Sequence, residues 1–173
     1  MILLDVQTEQ REAIAQRLRE NDLPVIDNIP IVTMRVQKIK DRTANEIRND
    51  TTSTINRWVL NHEFRVTYRD SLIPSETLAS GTWQGEARRN EVIPISLSDN
   101  VARDAQVTIG DPMVFNVQGV LMDTEVASIR QVDWGRMQLN FSVVFPKGIL
   151  EDAPQFHVLT TSAPDESNSA AVQ

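Results

Sequence analysis

Apolar and polar positions along this chain follow two periods. At the amino end, residues 2–6 are almost all apolar and read as a short buried strand. Thr8 follows as a candidate N-cap, and across residues 9–21 Ile14 and Leu18 stand four apart, so a helix there has one apolar and one charged face. Asn21, Asp22 and Pro24 stop it. In residues 25–36, Val32, Met34 and Val36 alternate with Ile31, Thr33 and Arg35, which predicts one apolar strand face. Pro30 implies either two pieces with a bend or an edge strand. The opening therefore predicts a β-α-β unit.

Residues 40–53 are polar with no apolar period and read as a surface insertion, with a short helix around residues 44–48. Strand character returns over residues 58–68, where Phe64, Val66 and Tyr68 alternate with Arg65, Thr67 and Arg69. The two arginines mark a solvated side. A loop around Pro74 and a turn-rich stretch over residues 78–85 lead to a short strand at 92–95, interrupted by Pro94. Ser98 is the N-cap of a two-turn helix over residues 99–106, with Asp99 at its positive end.

Residues 107–146 hold the densest strand and turn signals. Gly110, Asp111 and Pro112 make one turn and Gly119 the next, with alternating strands on both sides, a hairpin or small-barrel pattern. A strong strand follows over residues 139–145, ending at Pro146, and another over 156–160. Pro164, with Asp165 and Glu166 after it, would start a last short helix.

Composition narrows the function. Of the 173 residues, 40% are apolar and 24% charged, a globular balance. The net charge is −7 with no basic stripe, which argues against nucleic acid. There are no cysteines, so disulfides, thiolate catalysis and cysteine-held zinc are excluded. No apolar run reaches the roughly 20 residues that span a bilayer. Met1 meets the acidic Asp5 at once, so no signal peptide is expected.

No phosphate-binding loop, dinucleotide fingerprint, zinc-protease motif or nucleophile elbow is present. His62-Glu63 lacks a second histidine at ligand spacing and reads as a surface pair. Asp133-Trp134 could set a carboxylate against an aromatic ring, which raises a carboxyl pKa. It reads instead as a turn cap and a core-edge plug. Trp58 and Trp83 read as core or interface anchors, and Glu151-Asp152 as solvated acids.

Three phrases together resemble a known family: LNHEFRVTYRDSL at 60–72, ISLSDNVARDAQVTIGDPMVFNVQG at 95–119 and VASIRQVDWGRMQLNFSVVFPKGILEDAP at 126–154. In this order they are similar to the large extracytoplasmic domain of FtsX/MacB-like permeases of ABC transporters, and most of all to the YbbP-type branch. The most specific phrase runs through Ser128, Arg130, Val132, Asp133, Trp134, Asn140, Phe141, Phe145, Pro146 and Gly148, and ends on Leu150, Glu151, Asp152, Ala153 and Pro154.

The resemblance implies an α+β fold: a porter-like α/β-sandwich lobe at the chain ends, residues 1–72 and 135–173, with an inserted β-rich lobe, residues 73–134. It implies a segment excised from a longer inner-membrane permease, located in the periplasm between transmembrane segments. The partners it implies are those segments, a cytoplasmic ABC ATPase, a lipase-like esterase and lipidic or hydrophobic cargo. The role is non-catalytic and needs no cofactor: ATP-driven motion is transmitted and cargo contacted. Arg130, Asp133, Trp134, Phe141, Phe145 and Pro146 are the expected lobe-junction residues, with Trp134 buried and Arg130 and Asp133 a stabilising pair. A free-standing extracytoplasmic adaptor is the alternative, and a carboxylate-dependent hydrolase the third reading.

Overall fold

In the computed structural model, residues 2–21, 25–135 and 139–161 are described. The chain forms two compact units, Met1–Ile31 with Pro154–Gln173, and Val32–Ala153. The expected lobe boundaries, 72/73 and 134/135, coincide with neither edge of these units. The predicted stops at Asp22 and Pro24 and the predicted last helix at Pro164 lie outside the described residues.

In chain order the elements are β1 (Ile2–Gln7), α1 (Arg11–Glu20), β2 (Val25–Ile39), β3 (Arg42–Thr43), α2 (Ala44–Asn49), α3 (Arg57–Asn61), β4 (Phe64–Tyr68) and β5 (Glu76–Gly81). After these come β6 (Ile93–Ser98), α4 (Asp99–Ala105), β7 (Pro112–Val117), β8 (Val120–Val132), β9 (Val143–Phe145) and β10 (Phe156–Thr161). The fold is mixed and sheet-rich, with four short α-helices among the described residues.

In the first unit, β10 pairs antiparallel with β1 on one side and with residues 25–31 of β2 on the other. β1 and β2 therefore run parallel with β10 between them, so the expected β-α-β unit is present with a third strand laid into it. Val6 and Leu18 are buried, as the apolar pattern requires. Thr8 does not cap α1. It lies in a 3-10 turn, Thr8–Gln10, and its hydroxyl donates to the Gln155 carbonyl at 3.2 Å. β2 continues through Pro30 unbroken, because proline fits a strand at its own φ and gives up only one donor.

In the second unit, β2 changes partner as it runs: to β4 at Val32–Met34, then to β7 and β3. β6 pairs parallel with β8 and antiparallel with β9, while β9 runs parallel to β4. The hairpin of β7 and β8 turns at Gln118 and Gly119, both at positive φ, as the sequence predicts. β5 adds to the other side of β8.

Some local readings change. Residues 57–61 are helical, with the Asn56 side chain accepting from the Trp58 amide, although their composition reads as strand. The polar stretch over 40–53 holds the predicted helix, closed by a capping box between Thr43 and Glu46. Ala44 and Ile47 are nonetheless buried in the core, because a two-turn helix can bury an i, i+3 pair too short to show a period. Pro94 lies inside β6 and interrupts nothing. The strong strand expected over 139–145 contracts to Val143–Phe145.

The core of this unit centres on Phe64, Ile95, Leu97, Phe115, Phe145 and Leu150. The Phe115 and Phe145 rings meet edge to face at 5.9 Å, a geometry worth about 0.5–1.5 kcal/mol beyond area burial.

Candidate functional site

On β8, Val126, Ser128 and Arg130 share the inward face, and all three are buried. The same strand period that buries the valine buries the guanidinium, and Arg130 is among the largest fully buried side chains of the molecule. β5 and β6 flank it: Arg130 stands opposite Leu78 on one side and Ser98 on the other.

Its partners are complete. Nη1 of Arg130 is ion-paired with the Glu76 carboxylate, and both side chains are fully buried. Nε donates to the Ser96 hydroxyl at 2.8 Å, and Nη2 to the Phe141 carbonyl at 3.1 Å and the Ser142 carbonyl at 3.3 Å. Ser128 donates to the same Ser96 oxygen at 2.8 Å. Glu76 receives a second arginine, with Arg69 Nη2 2.7 and 2.8 Å from its two oxygens, and the Ile73 amide at 3.1 Å. Arg69 also donates to the Ser71 carbonyl at 2.6 Å, and its guanidinium stands 5.6 Å from the centre of the Trp83 ring. It is therefore an inward ligand of Glu76, although its alternation reads as solvated. Among the described residues no buried side-chain polar atom lacks a partner.

The electrostatics follow. Burial pushes the Glu76 carboxyl up, but the bond from Arg69 and the charges of Arg130 and Arg69 outweigh it, and the carboxyl sits below its ordinary range. Burial pulls Arg130 down to about 10 against the pull of Glu76, so it stays protonated at neutral pH. With each buried polar side-chain atom of the cluster partnered, the cluster fixes charge in place.

Of the expected junction residues, Arg130, Phe141, Phe145 and Pro146 are buried, Asp133 and Trp134 are exposed, and all six lie in the second unit. Trp134 is 50% exposed, against the expectation of burial. It follows the end of β8 in a turn. Asp133 caps that turn, its carboxylate accepting from the Gly135 amide at 3.1 Å. The ion pair of Arg130 is made with Glu76, from which 54 residues separate it in sequence. Glu76 and Ser96 escape a sequence reading because nothing local marks them. Arg130 did carry a signal: a charge in phase with an apolar strand face.

A second feature lies beyond β5, a cleft of about 340 Å³ with Gly81, Val92, Pro94, Ile109 and Ala127 forming an apolar wall and Glu86, Glu91 and Glu125 supplying carboxylates. Among the described residues no group of three or more His, Cys, Asp or Glu could hold a metal ion. No described helix is long and apolar enough to cross a membrane.

No protein-family model matches the chain. Its sequence is similar to a segment of an ABC transporter permease, the class that the phrases at 60–72, 95–119 and 126–154 resemble. That relative is the uncharacterized ABC transporter permease YbbP of Escherichia coli (strain K12), 25% identical over 153 residues, which are 88% of this chain and 17% of the relative. The chain thus spans about a sixth of the relative's length. Among solved structures, one described as a domain of a permease protein from Porphyromonas gingivalis covers 89% of this chain and 63% of its own, with a TM-score of 0.40 and 8% identity.

Proposed function

We propose that this chain is the extracytoplasmic domain of an ABC exporter permease. In this reading it transmits motion driven by a cytoplasmic ATPase and contacts lipidic or hydrophobic cargo, without catalysing a reaction. The observation that carries the reading is the similarity to the permease over 88% of the chain. The buried ion cluster suits it, because fixed internal charge stiffens a sheet that has to pass on force. The exposed apolar residues Val120 and Leu121, at the tip of the β7–β8 hairpin, suit cargo or partner contact.

The division into a porter-like lobe and an inserted β-rich lobe belongs to the same proposal, as do the periplasmic location and the esterase partner. Location is tested by placing a cysteine at Leu121 in the parent permease, since this stretch has none of its own. With other cysteines removed, a membrane-impermeant maleimide should label it in intact cells whose outer membrane is permeabilised. Labelling only after inner-membrane lysis overturns the reading. Deleting the segment from the assembled transporter should leave basal ATP hydrolysis and abolish export. Export that persists without it overturns the mechanical role.

A further inference from the structure

Strand β5 ends its sheet. Among the described residues β8 alone pairs with it, so its outer row of backbone donors and acceptors faces away from the ladder. Such edges are usually blunted by charge or proline. Here residues 77–85 carry neither, and every β5 residue after Glu76 is exposed. One bulge is present, at Ala79, which drops out of the β8 register.

The second observation is the cleft at the far end of the same strand. Gly81 of β5 and Ala127 of β8 form part of its wall with Val92 and Ile109, which are 55% and 39% exposed. Its charged lining consists of Glu86, Glu91 and Glu125, with no lysine or arginine. The nearby Lys147 is paired with Asp70 at 2.9 Å.

We propose that β5 is a docking edge for an extended basic peptide segment of a partner protein, added as a further strand, with alternate side chains reaching the acidic cleft. Backbone pairing supplies the binding and the cleft supplies selection, because side chains on an added strand point to one face every second residue. An apolar side chain would lie on Val92 and Ile109, with a lysine or arginine facing the carboxylates. This inference stands on the edge and the cleft alone and does not need the permease reading.

The test titrates the isotope-labelled chain with two seven-residue peptides, one alternating lysine with valine and the other glutamate with valine. The lysine peptide should shift the amide signals of residues 77–81 and 125–127 saturably, and the glutamate peptide should bind at least about tenfold more weakly. Ala79→Pro removes one N–H from β5 at the residue that has no partner in the β8 register, and should weaken the lysine peptide at least about tenfold. If that variant fails to fold, Ala79→Lys on the exposed edge replaces it, with the same expected loss. Glu86→Gln, Glu91→Gln and Glu125→Gln together should erase the preference for lysine. Equal binding of the two peptides, shifts confined elsewhere, or β5 shifts that track self-association of the chain would each overturn the proposal.

Discussion

Arg130 and Glu76 form an ion pair with neither side chain exposed to solvent, at positions 54 residues apart in the chain. Breaking a buried pair by removing one partner costs far more than the pair contributes, because the survivor keeps its charge without compensation. Arg130→Ala should therefore destabilise the chain by about 3–5 kcal/mol, read as a lower urea midpoint. Arg130→Lys should recover little of this, since an ammonium cannot reach Glu76, Ser96 and the carbonyls of Phe141 and Ser142 together.

Acid should act through the same carboxylate. The folded pKa of Glu76 lies below its ordinary 4.5, so the folded state favours the ionised form. The stability this contributes is present above pH 4.5 and is lost as pH falls through the folded pKa. Thermal melts of the native chain and of Glu76→Gln should differ most near neutral pH and converge as the pH drops below about 4.5.

His157 should titrate earlier in the same descent. Burial, and then the charge of Arg11, hold its imidazole below the ordinary 6.5. The neutral ring is thus favoured in the folded chain, and its contribution to stability declines as pH falls below 6.5. A histidine proton titration by NMR should place His157 below the ordinary 6.5.

Trp134 and Phe145 separate exposure from packing within one phrase. Phe145 is fully buried against Phe115, and Phe145→Ala should cost about 3–5 kcal/mol. Trp134→Ala should change stability by less than about 0.5 kcal/mol. Its removal should also lower the fraction of tryptophan fluorescence that acrylamide quenches most readily.

Gly148 tests the loop after β9. Its φ is +106°, and a Cβ there would fall 2.2 Å from the Ala87 carbonyl oxygen, a backbone atom that cannot swing aside. Gly148→Ala should destabilise by about 1–3 kcal/mol, measured by denaturant unfolding.

The sequence made the strands of the β7–β8 hairpin, α1, α4 and the closing strand legible, because each repeats a period or sits between turn residues. It misled at residues 57–61, where Trp58, Val59 and Leu60 carry strand propensity but the Asn56 cap and burial of Val59 and Leu60 impose a helix turn. The Glu76 cluster was illegible for a different reason. Its members come from positions 69, 76, 96 and 130: the pairing of β5 and β6 with β8 brings three of them together, and Arg69 reaches Glu76 from the segment after β4. Trp134 misled because an aromatic in a specific phrase suggests burial, whereas it lies in the turn after β8 and is half exposed.

Arg130 also bears on which alignment of β8 the chain accepts. Slipping β8 by one residue would turn Arg130 outward and set Gln131 or Asp133 opposite Glu76 in place of Val132, leaving a buried carboxylate with Arg69 as its one cationic neighbour. Apolar positions tolerate such exchange, since one aliphatic side chain can fill another's place. A paired buried charge does not, so one guanidinium penalises misregistered forms of a thirteen-residue strand that hydrophobic burial alone would leave closer in energy.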